Sequence, residues 1–225
     1  GIIEGIPAGM NITEEYIEKD LLRRMQGHGR GGRMKIEKDH AEIFSGVRHA
    51  VTLGSPISLL IKNFDWVNWE DRMATGKPKK EHRKVSMPRP GHADLAGVMK
   101  YGLNDIRNVL ERSSARETAM RVAIGAVCRK LLEEVGITVG SRVYQIHNIV
   151  DNTPVSNDMG LKELNDTVDA SPVRCFDKDA EKKMMDVIDE ARNNGDSVGG
   201  SFEVIAKGLP YGLGTYINAD GKLQA

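Results

Sequence analysis

The stretch 114–135 constrains the fold of this chain more than any other part of the sequence. Its small apolar residues recur at the spacing of one helix face, namely Ala119, Val122, Ala123, Ala126 and Val127. Because these side chains are small, other elements can approach the helix backbone closely. The pattern therefore predicts a long helix at the centre of the fold.

The remaining elements come in runs of like kind rather than in strict alternation. Two further helices are predicted, one over 11–27 with Thr13 as its cap and one over 177–195. Short β-rich segments bounded by glycine and proline predict antiparallel strands over 41–46, 50–54, 57–63, 138–150 and 197–210. Such runs favour the α+β class over a doubly wound sheet. We interpret 1–225 as a single domain. The polar, lysine-rich segment 64–87 is predicted to be an exposed loop that extends from this domain.

The composition argues against several classes of function. Lysine plus arginine and aspartate plus glutamate each number 32, so no overall field attracts nucleic acid or a membrane surface. Aromatic residues make up 5% of the chain, which is too few for base-stacking platforms. The two cysteines have no metal-ligand spacing; we expect Cys128 to be a small buried residue and Cys175 to lie in a loop. No signal peptide or membrane-spanning run is recognised, and the sequence is interpreted as cytoplasmic.

Residues 23–34, RRMQGHGRGGRM, combine accessible glycine amides with guanidinium groups. Arginine binds phosphate and carboxylate through two parallel hydrogen bonds, so Arg23, Arg24, Arg30 and Arg33 form a candidate anion clamp. His28 lies within it as a further candidate ligand contact. A solvated basic loop is an equal alternative, and the spacing is not that of a P-loop.

The segment 88–94, PRPGHAD, places a histidine on a stiff loop. Two prolines restrict the chain around Arg89, and a glycine permits a sharp turn before His92. Imidazole exchanges a proton near neutral pH, so His92 is a candidate acid or base. The alternative is a loop histidine bonded to a backbone carbonyl. Asp94 either orients the imidazole or caps the following helix.

Hydroxyl and guanidinium groups precede the long helix at Arg112, Ser113 and Ser114, and Arg116 adds further charge. Free amides and the helix dipole at such a position favour an anion such as phosphate. The structural alternative makes one of the serines an N-cap, with Glu117 completing a capping box. Both interpretations are compatible with each other.

The segments RPGHADLAGVMKYG and LERSSARETAMRVAIGAV together resemble the chorismate synthase family. Supporting similarity runs the length of the chain, in order and without a gap, through GIIEGIPAGM, DLLRRMQGHGRGGRM, GSPISLLIKN, GDSVGGSFEV and GLPYGLG. The resemblance implies a β-α-β sandwich with central helices between antiparallel sheets, assembled as a homotetramer.

The resemblance also implies a lyase of the shikimate pathway, in aromatic amino acid biosynthesis. Such an enzyme converts 5-enolpyruvylshikimate 3-phosphate to chorismate and phosphate by an anti-1,4-elimination. Its cofactor is reduced FMN, which lends electron density as the carbon–oxygen bond to phosphate breaks and then accepts the proton from carbon 6. The sequence carries no appended dinucleotide-binding fingerprint, so we expect reduced flavin to be supplied from elsewhere.

Site roles carry over from the family residue by residue. His92 matches an invariant histidine that is proposed to protonate and stabilise the reduced flavin. Arg112, Ser113 and Ser114 match positions that contact FMN. No metal ligand is implied.

The substrate's two carboxylates and phosphate require several cations. Arg24 and Arg30 match basic positions assigned to phosphate-bearing ligands, either the substrate or a nucleotide such as NADP. Arg89 and Arg116 are expected to bind substrate anions.

The resemblance covers the whole chain but only the middle portion of the family. The family's GESHG-like motif, which carries a second invariant histidine, and its C-terminal segment are absent, and both ends of the chain read as cut. An enzyme of this family is therefore one hypothesis, and a catalytically inactive fragment that keeps the fold and a partial anion or flavin site is another. A nucleic-acid binder using the arginine–glycine loop is disfavoured by the zero net charge.

Overall fold

The computed structural model describes residues 1–30 and 39–217. The chain divides by its internal contacts into two units. Unit 1 comprises 1–24 and 32–126, and unit 2 comprises 25–31 and 127–225. The single-domain interpretation of 1–225 stays a prediction.

Unit 1 contains a three-stranded antiparallel sheet and a small hairpin. Its strands are β1 Ile2–Ile3, β2 Ala41–Ser45, β3 Val47–Arg48, β4 Val51–Thr52 and β5 Ile57–Ile61. The sheet has the order β1-β5-β2, and β3 pairs with β4. Gly46 leaves β2 with a φ of +82°, where a Cβ would lie 2.6 Å from the Pro56 carbonyl oxygen. The predicted strands in this part of the chain are confirmed.

The helices that begin in unit 1 are α1 Glu14–Met25, α2 Asp94–Tyr101, α3 Arg107–Arg112 and α4 Arg116–Glu134. The cap predicted for α1 is confirmed, because Thr13 Oγ1 accepts a hydrogen bond from the Tyr16 amide at 3.2 Å. Ile17 and Leu21 are its buried residues. Segment 64–87 contains one short 3-10 turn, Trp66–Asn68.

The long helix α4 buries the predicted small-residue face, since Ala119, Ala123, Ala126 and Val127 are all buried. The expectation that Cys128 is buried is wrong, because its side chain is exposed. Cys128 is nine residues from Ala119, which is about 180° around a helix of 3.6 residues per turn. It therefore points away from the buried face although its sequence neighbours are apolar.

Unit 2 contains a second antiparallel sheet with helices packed on it. Its elements are β6 Thr138–Ile146, β7 Ile149–Val150, α5 Leu161–Asp169, α6 Lys178–Asn193 and β8 Gly200–Lys207, with the sheet order β7-β6-β8. The single strand predicted over 138–150 is wrong, because the chain reverses at His147, whose φ is +54°, and β7 pairs back on β6.

Helix α5 was not expected from the sequence. It packs on β6 at Gly140, where a Cβ would lie 3.3 Å from Leu161 and Leu164. Helix α6 begins as predicted, with Asp177 Oδ1 accepting from the Asp179 and Ala180 amides at 2.8 and 3.1 Å. Helices beside antiparallel sheets confirm the α+β prediction.

Candidate functional site

The loop before α2 brings three side chains within hydrogen-bonding distance of one another. The Arg89 guanidinium binds both carboxylate oxygens of Asp94, from Nε to Oδ2 and from Nη2 to Oδ1, each at 2.9 Å. His92 Nδ1 lies 3.0 Å from Arg89 Nη2 and 3.2 Å from Asp94 Oδ1. Asp94 is the first residue of α2 rather than its cap. The orienting role considered for Asp94 is thus supported over the capping role.

Burial and charge differ sharply within this trio. The Asp94 side chain is 0% exposed, whereas that of His92 is 36% exposed, so the imidazole is held at one edge and remains accessible. The hydrogen bonds from Arg89 hold the pKa of Asp94 well below its usual range, and the same contact raises the pKa of Arg89. The charges of Arg89 and Asp94 offset each other. Arg89 can therefore donate hydrogen bonds to a ligand but contributes little net positive charge.

A buried carboxylate joins two of the predicted anion ligands. Asp39 Oδ2 accepts from Arg24 Nη1 at 2.8 Å, and Asp39 Oδ1 forms an ion pair with Arg116 Nη1. The Asp39 side chain is only 1% exposed. Arg24 also donates to the Ala115 carbonyl at 2.8 Å and to Thr118 Oγ1. Two guanidiniums therefore share one buried carboxylate, which fixes both of them in place.

The three predicted FMN-contact residues lie at the end of α3 and just after it, since Arg112 is the last residue of α3 and the two serines precede α4. Arg112 is 79% exposed and pairs with Glu117. Ser113 Oγ donates to the carbonyl four residues earlier at 2.6 Å, and Ser114 Oγ accepts from the Arg116 amide at 3.2 Å. Ser114 thus accepts from the first amide of α4, although it lies one residue before the cap position of that helix. The Glu117 carboxylate that would complete a capping box is bound by Arg112 instead.

Two candidate residues, Arg30 and His28, lie on the glycine-rich loop in unit 2. Arg30 Nε donates to the Gln26 carbonyl at 3.0 Å, and His28 Nε2 lies 3.0 Å from Asp189 Oδ1. Arg24 belongs to unit 1, and Arg33 lies outside the described residues. The single clamp predicted over 23–34 therefore stays a prediction.

A cavity of about 300 Å³ lies in unit 1 beside the predicted site residues. Its lining includes Trp66, Trp69, Arg89, Arg107, Glu111 and Ser114. Two residues predicted from the sequence, Arg89 and Ser114, therefore meet at one cavity. His92 and Arg112 are not part of this lining.

Sequence reasoning missed three residues at these places: Asp39, Trp69 and Arg107. Both tryptophans of the chain lie within 64–87, and this concentration in a polar loop was a usable indication of a binding surface. Asp39 offered no such indication, because its partners Arg24 and Arg116 are brought to it only by folding.

The described residues offer neither a metal-binding cluster nor a membrane-spanning helix. Across 1–30 and 39–217, no group of three or more histidine, cysteine, aspartate or glutamate side chains is placed to hold a metal ion. Within the same ranges, none of the helices combines the length and apolar character needed to cross a bilayer.

Comparison with known proteins places these features in a family. The family model described as chorismate synthase matches residues 1–225. The chain is 53% identical over 230 residues to the chorismate synthase of Bacillus subtilis (strain 168), and 52% identical over 227 residues to that of Listeria welshimeri. Each alignment covers 100% of this chain, but the chain spans only 58% of the length of these relatives.

A solved structure is also similar to this chain. It is described as a crystal structure of chorismate synthase, and it matches with a TM-score of 0.76 and 39% sequence identity. The match covers 98% of this chain and 57% of the solved one. The chain belongs to the chorismate synthase family.

Proposed function

We propose that this protein converts 5-enolpyruvylshikimate 3-phosphate to chorismate and phosphate by an anti-1,4-elimination, with reduced FMN as cofactor. The observation that carries the proposal is the Arg89–His92–Asp94 trio, an oriented and accessible imidazole on a chain that matches the family throughout. From the resemblance we extend the proposal to a homotetramer in the cytoplasm.

His92 is the group proposed to move a proton. Arginine can only donate, so a neutral imidazole accepts at Nδ1 from Arg89 and carries its proton on Nε2. When the ring is protonated, Nδ1–H donates to Asp94 Oδ1 instead. The loop thus provides a partner for each protonation state, and the imidazole can accept or release a proton without leaving its position.

Arg24 and Arg116 are proposed to hold the substrate's anionic groups. Asp39 binds both guanidiniums and fixes their positions. Fixed positive charge stabilises the negative charge that develops on a departing phosphate, and pre-orientation avoids reorganisation during the reaction. Arg30, on the glycine-rich loop of unit 2, is proposed to bind a phosphate-bearing ligand.

The residues at the end of α3 and just before α4 fit a flavin phosphate by their chemistry. Arg112 presents an exposed guanidinium, and Ser114 uses its oxygen as an acceptor, which leaves its O–H to donate. Ser113 already donates its O–H to a backbone carbonyl, so it must release that hydrogen bond before it can donate to a phosphate. We propose that these three residues hold FMN, which supplies electron density to the reaction when it is bound and reduced.

The test is an anaerobic assay of this protein with 5-enolpyruvylshikimate 3-phosphate and excess reduced FMN, with chorismate followed by its absorbance. We expect chorismate to form, and FMN binding is measured on the same preparation. A folded protein that binds FMN but forms no chorismate would contradict the catalytic proposal. That result would favour the alternative, an inactive fragment with a partial anion or flavin site.

A further inference from the structure

We propose that Arg107 and Trp69 form a ligand subsite in the cavity of unit 1, which takes a carboxylate or phosphate group of a ring-bearing ligand. The proposal rests on the proposed function for the identity of that ligand. The kind of chemical group that is bound is inferred from the residues that line the cavity.

Arg107 differs from the other arginines described at the site. Its guanidinium lies 5.1 Å from the centroid of the Trp69 ring, and no hydrogen bond or ion pair joins it to another side chain in 1–30 or 39–217. Arg89 and Arg112, by contrast, are each bound to a protein carboxylate. Arg107 is half-buried and carries five N–H donors, which a cavity ligand can satisfy.

Trp69 is held in place from its polar edge. Its Nε1–H donates to Asp65 Oδ2 at 2.6 Å, and Asp65 Oδ1 accepts from Asn68 Nδ2 at 2.8 Å. The Asp65 carboxylate is therefore used to fix the indole. Arg72 also lies over the ring, 5.8 Å from its centroid, but it does not line the cavity.

The backbone of Arg107 is fixed as well. Its amide donates to Asp105 Oδ1 at 3.0 Å, and the same oxygen accepts from the Val85 amide at 3.0 Å. The Ile106 amide donates to the Val85 carbonyl at 2.9 Å. These bonds join the end of the 64–87 loop, at Val85, to the start of α3 and so fix the backbone from which Arg107 extends.

The chemistry of the lining selects the ligand class. A guanidinium matches the planar geometry of a carboxylate and binds phosphate equally through two donors. The indoles of Trp66 and Trp69 suit the flat or apolar body of a ring. Asp65 and Glu111 also line the cavity, so an anion is favoured only at Arg107 and away from these two carboxylates. A volume of about 300 Å³ fits a small molecule or one end of a larger one.

Both ligands of the proposed function carry such a group. The substrate bears carboxylates and a phosphate on a six-membered ring, and FMN bears a phosphate and a fused ring system. The shared chemistry is an anion attached to a ring-bearing molecule, and separate titrations distinguish the two sources.

The experiment compares Arg107→Gln with Arg72→Gln in the otherwise unchanged protein. Both variants remove a cation over the same indole, but only the first removes a cavity donor. FMN binding is measured by quenching of flavin fluorescence, and substrate affinity by quenching of tryptophan fluorescence. We expect Arg107→Gln to weaken one of the two ligands by about tenfold or more, and Arg72→Gln to change either by less than about twofold.

The ligand that is weakened identifies the occupant of the subsite. Equal affinities in Arg107→Gln and the parent protein for both ligands would overturn the proposal while leaving the proposed function intact. Equal losses in the two variants would overturn it too, because the effect would then come from the indole and not from the cavity. A parent protein that binds neither ligand would contradict the proposed function itself. If Arg107→Gln fails to fold, the comparison is made between Arg107→Lys and Arg72→Lys, with the same outcomes.

Discussion

Replacement of Asp39 by asparagine tests the buried bridge between Arg24 and Arg116. The carboxylate is 1% exposed, and each of its oxygens binds a different guanidinium. Charge-assisted hydrogen bonds contribute about 1.5–3 kcal/mol each, and loss of one partner of a buried ion pair costs about 3–5 kcal/mol. We therefore expect Asp39→Asn to lower the free energy of unfolding by about 4 kcal/mol.

This loss is large beside the total stability of a folded domain, which is about 5–15 kcal/mol. With a urea m-value of about 2.5 kcal/mol per M, it corresponds to a fall of about 1.6 M in the unfolding midpoint. The assay is urea unfolding followed by circular dichroism. Asp166→Asn is the matched control, because Asp166 is an exposed carboxylate on α5.

The same variant also tests the proposed anion site. Asparagine leaves both guanidiniums without their shared carboxylate, so added phosphate should bind between them and restore part of the lost stability. We expect 100 mM phosphate to raise the midpoint of Asp39→Asn by more than that of the parent protein. A midpoint shift no larger than that of the control would refute the buried bridge. A shift that phosphate leaves unchanged would refute the anion site.

Three further predictions concern the histidine loop and the backbone. His92→Gln should lower turnover on the order of 100-fold with little change in the unfolding midpoint, and turnover equal to the parent's would remove this residue from the mechanism. The guanidinium partner of Asp94 lowers the pKa of this carboxyl in the folded protein. The ionised carboxylate therefore stabilises the folded state above the unfolded-state pKa of about 3.9, and this contribution is lost as the pH falls through the lower folded-state pKa. Asp94→Asn should therefore make the unfolding midpoint fall less steeply as the pH is lowered below about 4. A fall as steep as the parent's would contradict the lowered pKa of Asp94. Gly46→Ala should lower the free energy of unfolding by about 2–5 kcal/mol, because φ is +82° and the new Cβ would lie 2.6 Å from a backbone atom. Gly91→Ala should lower it by about 1–2 kcal/mol, because φ is +67° but the new Cβ would meet open space. Equal thermal shifts for the two alanines would show that backbone conformation alone sets the cost.

Local interactions made much of the fold predictable. The α1 cap at Thr13, the small-residue face of α4 and the start of α6 near residue 177 depend on residues within a few positions of one another. Local spacing also placed His92 on a stiff loop beside Arg89 and Asp94. Caps and periodicity are readable because their partners are close in sequence.

Local pattern failed where burial depends on what packs against an element. Cys128 sits among apolar neighbours yet faces away from the buried side of α4. Helix α5 carries Asn165, Asp166 and Thr167, which are weak helix formers, and its burial of Leu164 against the sheet stabilises it nonetheless. Helix propensity is a weak effect that tertiary packing overrides.

The site shows the same division most clearly. The sequence by itself determined that arginines, serines and a histidine suited to an anionic ligand occur in this chain. Only the tertiary structure decided which of them are bound by protein carboxylates, since Asp39 meets Arg116 across 77 positions and Arg107 meets the Trp69 ring across the loop. The physical reason is that charges and rings pair when folding brings distant segments of the chain together. The spacing of residues along the sequence carries no information about which distant segments will meet.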